Sequence, residues 1–460
     1  MNKYINLIKN TGLFALANLS TKLISFVFLP IYTLYLTTEE YAIIDLSNVI
    51  QSLIWPILSI SLSESLLRFC LDDKYKKEDI FTNSVIMIMP GIIIASIGFS
   101  LIRFNNLFNE YRYYLLAFYI IVSINSFLSI FVRTLEKMKL IVINSILSCL
   151  LISIFNVWFI VSLKMGVKGY FYSIIIGNLL SIISYLLLGK LYYYYNIKKF
   201  NRRICKELLK YSLPMIPNAI FWWINSGLDR FALTTLIGLS SVGLYSVSSK
   251  ISSSLSIFTN IFSQAWNMSA FKEHGNKDYD SFYSNIFNTY NTILIIITIL
   301  VILFSKAIAT FMFANDFYEA WEYIPFLTIA FYFNGINVFL GSIFTANKKT
   351  NVIFYTTGLG AFFNIIFNYV FIRMFGIIGA AFATAISNMI VCIARFVKCR
   401  KYIQLKIRTV QLCFVIVLLC ISSILRIKYN LYINILFSLV VILLDILYFV
   451  NYIKKERNKL

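Results

Sequence analysis

Charge is scarce in this sequence: 13% of its 460 residues are Asp, Glu, Lys or Arg, and only 20 are acidic. A water-soluble globular chain carries about 25%, so that class is excluded. Histidine occurs once, at His274 in a charged stretch, which leaves no His-based metal or acid–base centre. The seven cysteines form neither a disulfide framework nor a metal-ligand spacing. Cys149, Cys392, Cys413 and Cys420 fall in apolar runs, and Cys70, Cys205 and Cys399 at or near their ends. No phosphate-binding P-loop is present, which argues against ATP hydrolysis. Long extracytoplasmic loops, where a glycan-processing enzyme would carry its acids, are missing too; the longest such connection is FSKAIATFMFANDFYEAWE, near 304–322.

What is present is apolar sequence. Hydrophobic residues make up 59% of the chain, mean hydropathy is +0.78, and runs long enough to cross a bilayer recur throughout. The spacing predicts an all-α integral membrane protein of about fourteen transmembrane helices. They lie near 11–36, 41–68, 80–104, 112–133, 141–163, 167–190, 211–237, 241–269, 283–305, 322–346, 351–372, 376–395, 409–426 and 429–452. Ala15-Leu16-Ala17 mimics a signal-peptidase site, but too little apolar sequence precedes it, and the run reads as an uncleaved first span. A net charge of +21 would suggest nucleic acid in a soluble chain. Here the cations sit in short connections and read as topology signals, to which an AT-rich genome would add. About thirty lie on one side and about eight on the other, so both termini are expected in the cytoplasm.

The chain repeats itself. GVKGYFYSIIIGN (166–178) aligns with GIIGAAFATAISN (376–388), with glycines in the same two places, Gly166 and Gly169 opposite Gly376 and Gly379, and Asn178 opposite Asn388. EEYAIIDLSNVI from Glu39 resembles SSVGLYSVSSKI from Ser240, and TLEKMKLIVINS from Thr134 resembles ANKKTNVIFYTT from Ala346. Each pair is six spans apart. Two parallel six-helix lobes are therefore expected, related by a pseudo-twofold axis along the membrane normal, as in secondary transporters. The expected division is an N-lobe at 1–190, a basic cytoplasmic linker at 191–210, a C-lobe at 211–400, and two C-terminal helices with a basic tail at 401–460.

Polar groups concentrate on spans 1, 2, 7 and 8. Span 8 carries Ser246, Ser249, Lys250, Ser253, Ser256, Asn260 and Ser263 at alternating steps of three and four, one stripe on an apolar helix. Span 7 shows Asn218, Trp222, Asn225, Ser226, Asp229 and Arg230; span 1 shows Lys22, and span 2 Asp45 and Asn48. Small polar residues of this kind commonly do no more than bond packed helices together. The cations are different, because each costs about 2.5–3.5 kcal/mol at the centre of a span. Lys22, Arg230 and Lys250 are thus expected to face a hydrated cleft and to pair with Asp45 or Asp229, with Glu64 lower down. The cleft would be cationic or neutral according to that pairing, and an anionic substrate such as a phosphate would complete it. Glu64 and Arg68, one turn apart, fit an i,i+4 ion pair as well as a substrate contact. Prolines 30, 56, 90 and 325 lie in or near spans, where kinks are expected.

Four segments carry a family resemblance: the opening KNTGLFALANLSTKLISFVFLPIYTLYLTTEEYAIIDL, the span-2 exit SESLLRF, the stretch LLKYSLPMIPNAIFWWINSGLDRFALTTLIGLSSVGLYSVSSKI, and FGIIGAAFATAISN. They resemble polysaccharide-export proteins of the multidrug/oligosaccharidyl-lipid/polysaccharide (MOP) exporter superfamily, and more narrowly the Wzx-type O-antigen and capsule flippases. The resemblance covers essentially the whole chain; Ala42 departs from it, where relatives usually have glycine. It implies two lobes around a cationic cavity in the bacterial cytoplasmic membrane. Through that cavity an undecaprenyl-diphosphate-linked oligosaccharide repeat unit would pass between leaflets for O-antigen or capsule assembly, without enzyme chemistry.

The resemblance further implies Lys22, Arg68, Arg230 and Lys250 as substrate-binding cations, with Asn225 and Trp222 added from the polar face of span 7. Asp45, Asp229 and Glu64 are the ion-coupling candidates, for a proton or a sodium ion; no metal centre and no organic cofactor is expected. The expected partners are the lipid-linked glycan, membrane lipids, and the polymerase and glycosyltransferases of the same assembly, with no nucleic acid. An ion-coupled drug antiporter of the same superfamily is the alternative, which the cations count against. A membrane-bound glycan enzyme and a non-transporting scaffold are the others.

Overall fold

The structure is a computed structural model that describes residues 26–72, 74–101, 109–272, 279–347, 349–404, 421–424 and 431–457. Lys22, His274 and nearly all of the expected span at 409–426 lie outside the described residues. Among those described, the regular elements are all helical, and eight helices are long and apolar enough to cross a membrane. The protein is an all-α integral membrane protein. It divides into two compact units, Met1–Trp223 and Ile224–Leu460.

The N-terminal unit contains α1 (Leu29–Tyr35), α2 (Thr38–Leu58), α3 (Leu62–Cys70), α4 (Lys77–Leu101), α5 (Arg112–Thr134), α6 (Met138–Asn156, continued as a π turn over Val157–Ser162), α7 (Gly166–Leu188) and α8 (Arg202–Ser212). α2 starts at a capping box. The Thr37 hydroxyl accepts from the Glu40 backbone at 3.2 Å, and the Glu40 carboxylate accepts from the Thr37 backbone at 2.9 Å.

The single span expected over 41–68 is two helices. Pro56 removes one backbone donor from α2, and Ile60 and Ser61 then take φ of 54° and 50°, left-handed conformations that no helix continues through. α4 packs where α2 ends: a Cβ on Gly91 would stand 2.0 Å from the Leu58 carbonyl oxygen. Pro56 and Pro90 are inside helices, whereas Pro30 and Pro325 occupy first turns, where a missing N–H costs nothing. The core joins α3, α4 and α5, with Phe81 stacked on Phe131 at 4.0 Å between centroids.

Cations at helix starts close the ends of other helices. Lys77 donates to the Thr134 carbonyl at 2.7 Å and Lys137 to the Gly189 carbonyl at 2.8 Å, each at or next to a helix C-terminus, where positive charge is favourable. α8 docks on α3 and α4. There the Tyr75 hydroxyl donates to Glu207 and holds that carboxyl below its usual range. This contribution is present above the ordinary carboxylate pKa and is lost as pH falls through the lowered value. Hydrogen exchange in 202–212 is expected to rise as pH falls below the ordinary carboxylate range, and Glu207→Gln to remove that step.

The C-terminal unit holds most of α9 (Met215–Leu236), then α10 (Leu239–Ser252), α11 (Ser254–Lys272), α12 (Tyr279–Met312), α13 (Ile324–Ala346), α14 (Thr350–Cys399) and α15 (Leu431–Arg457). The expected span 8 is thus split at Ser253, and two of its stripe serines bond to carbonyls one turn back: Ser253 to the Lys250 carbonyl, Ser263 to the Asn260 carbonyl. α13 is the central helix, packed against α10, α11, α12 and α14. Its Phe339 stacks on Trp266 at 5.1 Å, and Trp266 donates to Ser342 at 2.7 Å. In lipid such contacts stabilise by close packing and hydrogen bonding rather than by escape from water.

α14 contains the expected spans 11 and 12, folded back at Gly376 (φ 60°, ψ −135°), a conformation open to glycine alone. A Cβ on Gly379 would lie 2.0 Å from the Phe371 carbonyl oxygen, so the two halves meet backbone to backbone. The matching turn in the N-terminal unit repeats both features. Gly166 has φ 53°, and a Cβ on Gly169 would lie 3.0 Å from Phe159. The repeat extends to polar contacts. Asn125 donates to the Asn178 side chain at 2.7 Å, and Asn337 donates to the Asn388 carbonyl at 2.9 Å.

Candidate ion and substrate site

Asp229 and Arg230 occupy consecutive positions of α9, about 100° apart around the helix, so one turns inward and the other away. Asp229 is 2% exposed. Its Oδ2 accepts from Tyr245 Oη at 2.6 Å and Thr384 Oγ1 at 2.7 Å; its Oδ1 accepts from Asn368 Nδ2 at 2.6 Å and, at 3.5 Å, from Asn364 Nδ2. These donors come from α10 and both halves of α14, and all four are neutral. Among the described residues, the hydrogen bonds of Asp229 thus come from neutral donors rather than from a cation. Arg230 Nη1 donates to the Ser226 carbonyl at 2.9 Å, and its guanidinium carbon lies 5.4 Å from the Tyr245 ring centroid.

The shell is rich in oxygen. Asn364 Oδ1 accepts from Asn368 Nδ2 at 3.0 Å, Asn368 Oδ1 is buried with no partner among the described residues, and Thr384 Oγ1 lies 3.1 Å from the Ala380 carbonyl. One carboxylate with neutral amide, hydroxyl and carbonyl oxygens suits a hard cation such as sodium, or a proton, and lacks the nitrogen and sulfur ligands that select transition metals. The register of the repeat places Phe28, Ile44, Ile152 and Ile174 opposite Asp229, Tyr245, Asn364 and Thr384. Asn368 alone has a polar counterpart, the buried Asn156, so the carboxylate and the Tyr245, Asn364 and Thr384 positions of the shell belong to one repeat.

A second buried charge lies at the end of the expected span 376–395. Arg395 is 4% exposed. It donates to Thr356 Oγ1 at 3.1 Å, Thr357 Oγ1 at 3.1 Å and the Asn337 carbonyl at 2.5 Å. Its repeat counterpart is the neutral Tyr185, hydrogen-bonded in the same place by Asn144 and Ser145. Arg395→Ala would leave a cavity and the Asn337 carbonyl without its donor. A loss of roughly 2–4 kcal/mol is expected, read as a lowered melting temperature in detergent.

The other expected site residues distribute as follows. Asn225 Nδ2 donates to the Thr357 carbonyl at 3.2 Å, and Lys250 is half-buried in the last turn of α10. In the N-terminal unit, Trp222 is 46% exposed and Asp45 half-buried, one turn before Asn48, which donates to Tyr170 Oη at 3.0 Å. Glu64 and Arg68 are both exposed on α3, and no ion pair joins them, so the i,i+4 bridge is not made among the described residues. The structure therefore gathers Asn225, Asp229, Arg230 and Lys250 on α9 and α10 of one unit. Sequence reasoning missed Tyr245, Asn364, Asn368, Thr384 and Arg395. The signal was there: Asn364 and Asn368 are four apart, and Thr384, Asn388 and Arg395 follow at four and seven, each set on one helix face.

Comparison with known proteins places this geometry. A family model described as polysaccharide biosynthesis protein matches residues 7–267, more than half of the chain. The chain belongs to this family. A second model, MatE, matches residues 214–370, a stretch that holds Asp229, Asn364 and Asn368. The chain is 23% identical over 209 residues to the capsular polysaccharide biosynthesis protein CapF of Staphylococcus aureus, covering 44% of the chain and 53% of CapF. The chain thus spans about half the length of that curated relative. Its fold is similar to that of the lipid II flippase MurJ in an inward closed conformation, with a TM-score of 0.69, 15% identity and coverage of 97% of this chain and 100% of MurJ. It is equally similar to an inward-facing multidrug resistance MATE family transporter of the MOP superfamily: TM-score 0.68, 17% identity, 84% and 97% coverage. The fold is that of the MOP-superfamily transporters.

Proposed function

We propose that this protein is a flippase that moves an undecaprenyl-diphosphate-linked oligosaccharide repeat unit across the bacterial cytoplasmic membrane by alternating access, with both termini in the cytoplasm. The observation that carries this reading is the match to the polysaccharide biosynthesis family over residues 7–267, which include Arg230 and Lys250. Both supply donors of the kind a diphosphate accepts. No bond of the cargo is made or broken, so the chain's work is binding and conformational change.

Asp229 is the coupling residue in this reading. A sodium ion or proton held by Asp229 with Asn364, Asn368 and Thr384 ties α9 and both halves of α14 into one body, and its release loosens them. The membrane potential adds about 2.3 kcal/mol per charge per 100 mV. Single Arg230→Ala and Lys250→Ala variants, shown to insert normally, are expected to lower surface-glycan assembly about tenfold or more and to accumulate lipid-linked repeat units. Full assembly by both would sink the substrate assignment.

The MatE match over residues 214–370 favours a second reading, ion-coupled antiport of small molecules. A drug antiporter would extrude a cationic dye from vesicles against an imposed sodium or proton gradient. The flippase would not.

A further inference from the structure

α8 and the two 3-10 turns before it (Leu191–Tyr194, Ile197–Lys199) form a fixed platform. Side chains of α4 hold its backbone. Thr82 Oγ1 donates to the Tyr194 carbonyl and accepts from the Asn196 amide, both at 3.1 Å. Asn83 donates to the Lys199 carbonyl at 3.1 Å and accepts from the Asn201 amide at 2.8 Å.

Two of the platform's cations are neutralised, Lys199 by Glu78 and Arg203 by Glu207 at 3.3 Å. Others are not. Arg202, Lys206 and Lys210 recur every fourth residue of α8, on the side away from the buried Leu208 and Ser212. With Lys198 they are exposed, and among the described residues none has a carboxylate within 4 Å. Apolar groups stand beside them: Tyr193 is 69% exposed, Ile197 65% and Phe200 48%. The platform follows directly on Leu187 and Leu188, exposed at the end of the membrane-spanning α7.

Exposed aromatic rings beside exposed cations, next to the end of a span, suit the boundary between acyl chains and headgroups. We propose that this platform binds anionic phospholipid headgroups, with Lys198, Arg202, Lys206 and Lys210 on the phosphates and Tyr193, Ile197 and Phe200 at the acyl boundary. The α4 hydrogen bonds hold the turns that lead into α8, and the helix itself spaces the stripe, so binding has only side chains to order. α8 ends at Ser212 and α9 begins at Met215. A lipid-held platform therefore fixes the origin of the helix that carries Asp229 and Arg230.

Native mass spectrometry of the full chain in detergent, with phosphatidylglycerol or phosphatidylcholine added, tests this without any transport readout. The wild type is expected to retain phosphatidylglycerol roughly tenfold better. The combined variant Lys198→Gln, Arg202→Gln, Lys206→Gln and Lys210→Gln should lose that preference while circular dichroism stays unchanged. Arg203→Gln, which removes a neutralised cation, should keep it. Equal retention of both lipids by the wild type would overturn the proposal. So would an undiminished preference in the combined variant, which would place the bound anion elsewhere on the chain.

Discussion

Asp229→Asn is expected to abolish ion-coupled transport, with a loss of about a hundredfold or more, while leaving the protein folded. The substitution keeps the volume of the side chain but removes the one formal charge in a shell of neutral donors. Without it neither a sodium ion nor a proton has a reason to bind there. Stability should not suffer, because an ionised carboxylate held by neutral partners carries a desolvation cost of several kcal/mol that the amide does not. Function and folding therefore separate in this variant. Asp229→Glu should be partly active and less stable, since an extra methylene must fit at a position only 2% exposed. Gradient-driven uptake in vesicles and melting in detergent read the two effects. Wild-type transport by Asp229→Asn would remove the coupling role.

Gly379→Ala is expected to be the most damaging small substitution in the C-terminal unit. Its Cβ would stand 2.0 Å from the Phe371 carbonyl oxygen and 2.7 Å from the Ile372 nitrogen, so backbone rather than a side-chain end would have to move. A cost of about 3 kcal/mol or more follows. Gly169→Ala tests the same turn in the other repeat, where the nearest atoms are 3.0–3.2 Å away on Phe159. There the cost should be nearer about 1 kcal/mol. Melting temperatures of the purified variants give the order directly; equal effects would mean that the two turns are not built alike.

The paired turns also mark what the sequence made legible. GVKG and GIIG stood out because glycine is favoured at the positive φ of Gly166 and Gly376 and is needed for the close backbone approach at Gly169 and Gly379. Hydropathy revealed the spans for the same kind of reason, since a bilayer sets their length. Asp229 and Arg230 were visible as charges in apolar surroundings. Their partners were not, because Asn364, Asn368 and Thr384 lie more than a hundred residues away on a different helix pair, and only folding brings them together. Arg395 escaped notice for a related reason: a cation at the end of a span resembles its flanking topology charges until its burial against Thr356, Thr357 and Asn337 is seen. The Glu64–Arg68 pairing failed although the spacing allowed it. On the exposed face of α3 an i,i+4 pair contributes only a few tenths of a kcal/mol, too little to dictate two rotamers.

Translocation itself is tested most directly in proteoliposomes that contain the purified chain and an undecaprenyl-diphosphate-linked oligosaccharide carrying a fluorescent sugar. A membrane-impermeant quencher added outside reports the fraction in the outer leaflet. With wild-type protein and an imposed ion gradient, lipid-linked sugar should become fully accessible to quencher within minutes, and Arg230→Ala, Lys250→Ala and Asp229→Asn should slow this toward the protein-free rate. Quenching in wild-type vesicles that stays at the protein-free level, or dye extrusion in its place, would contradict a flippase.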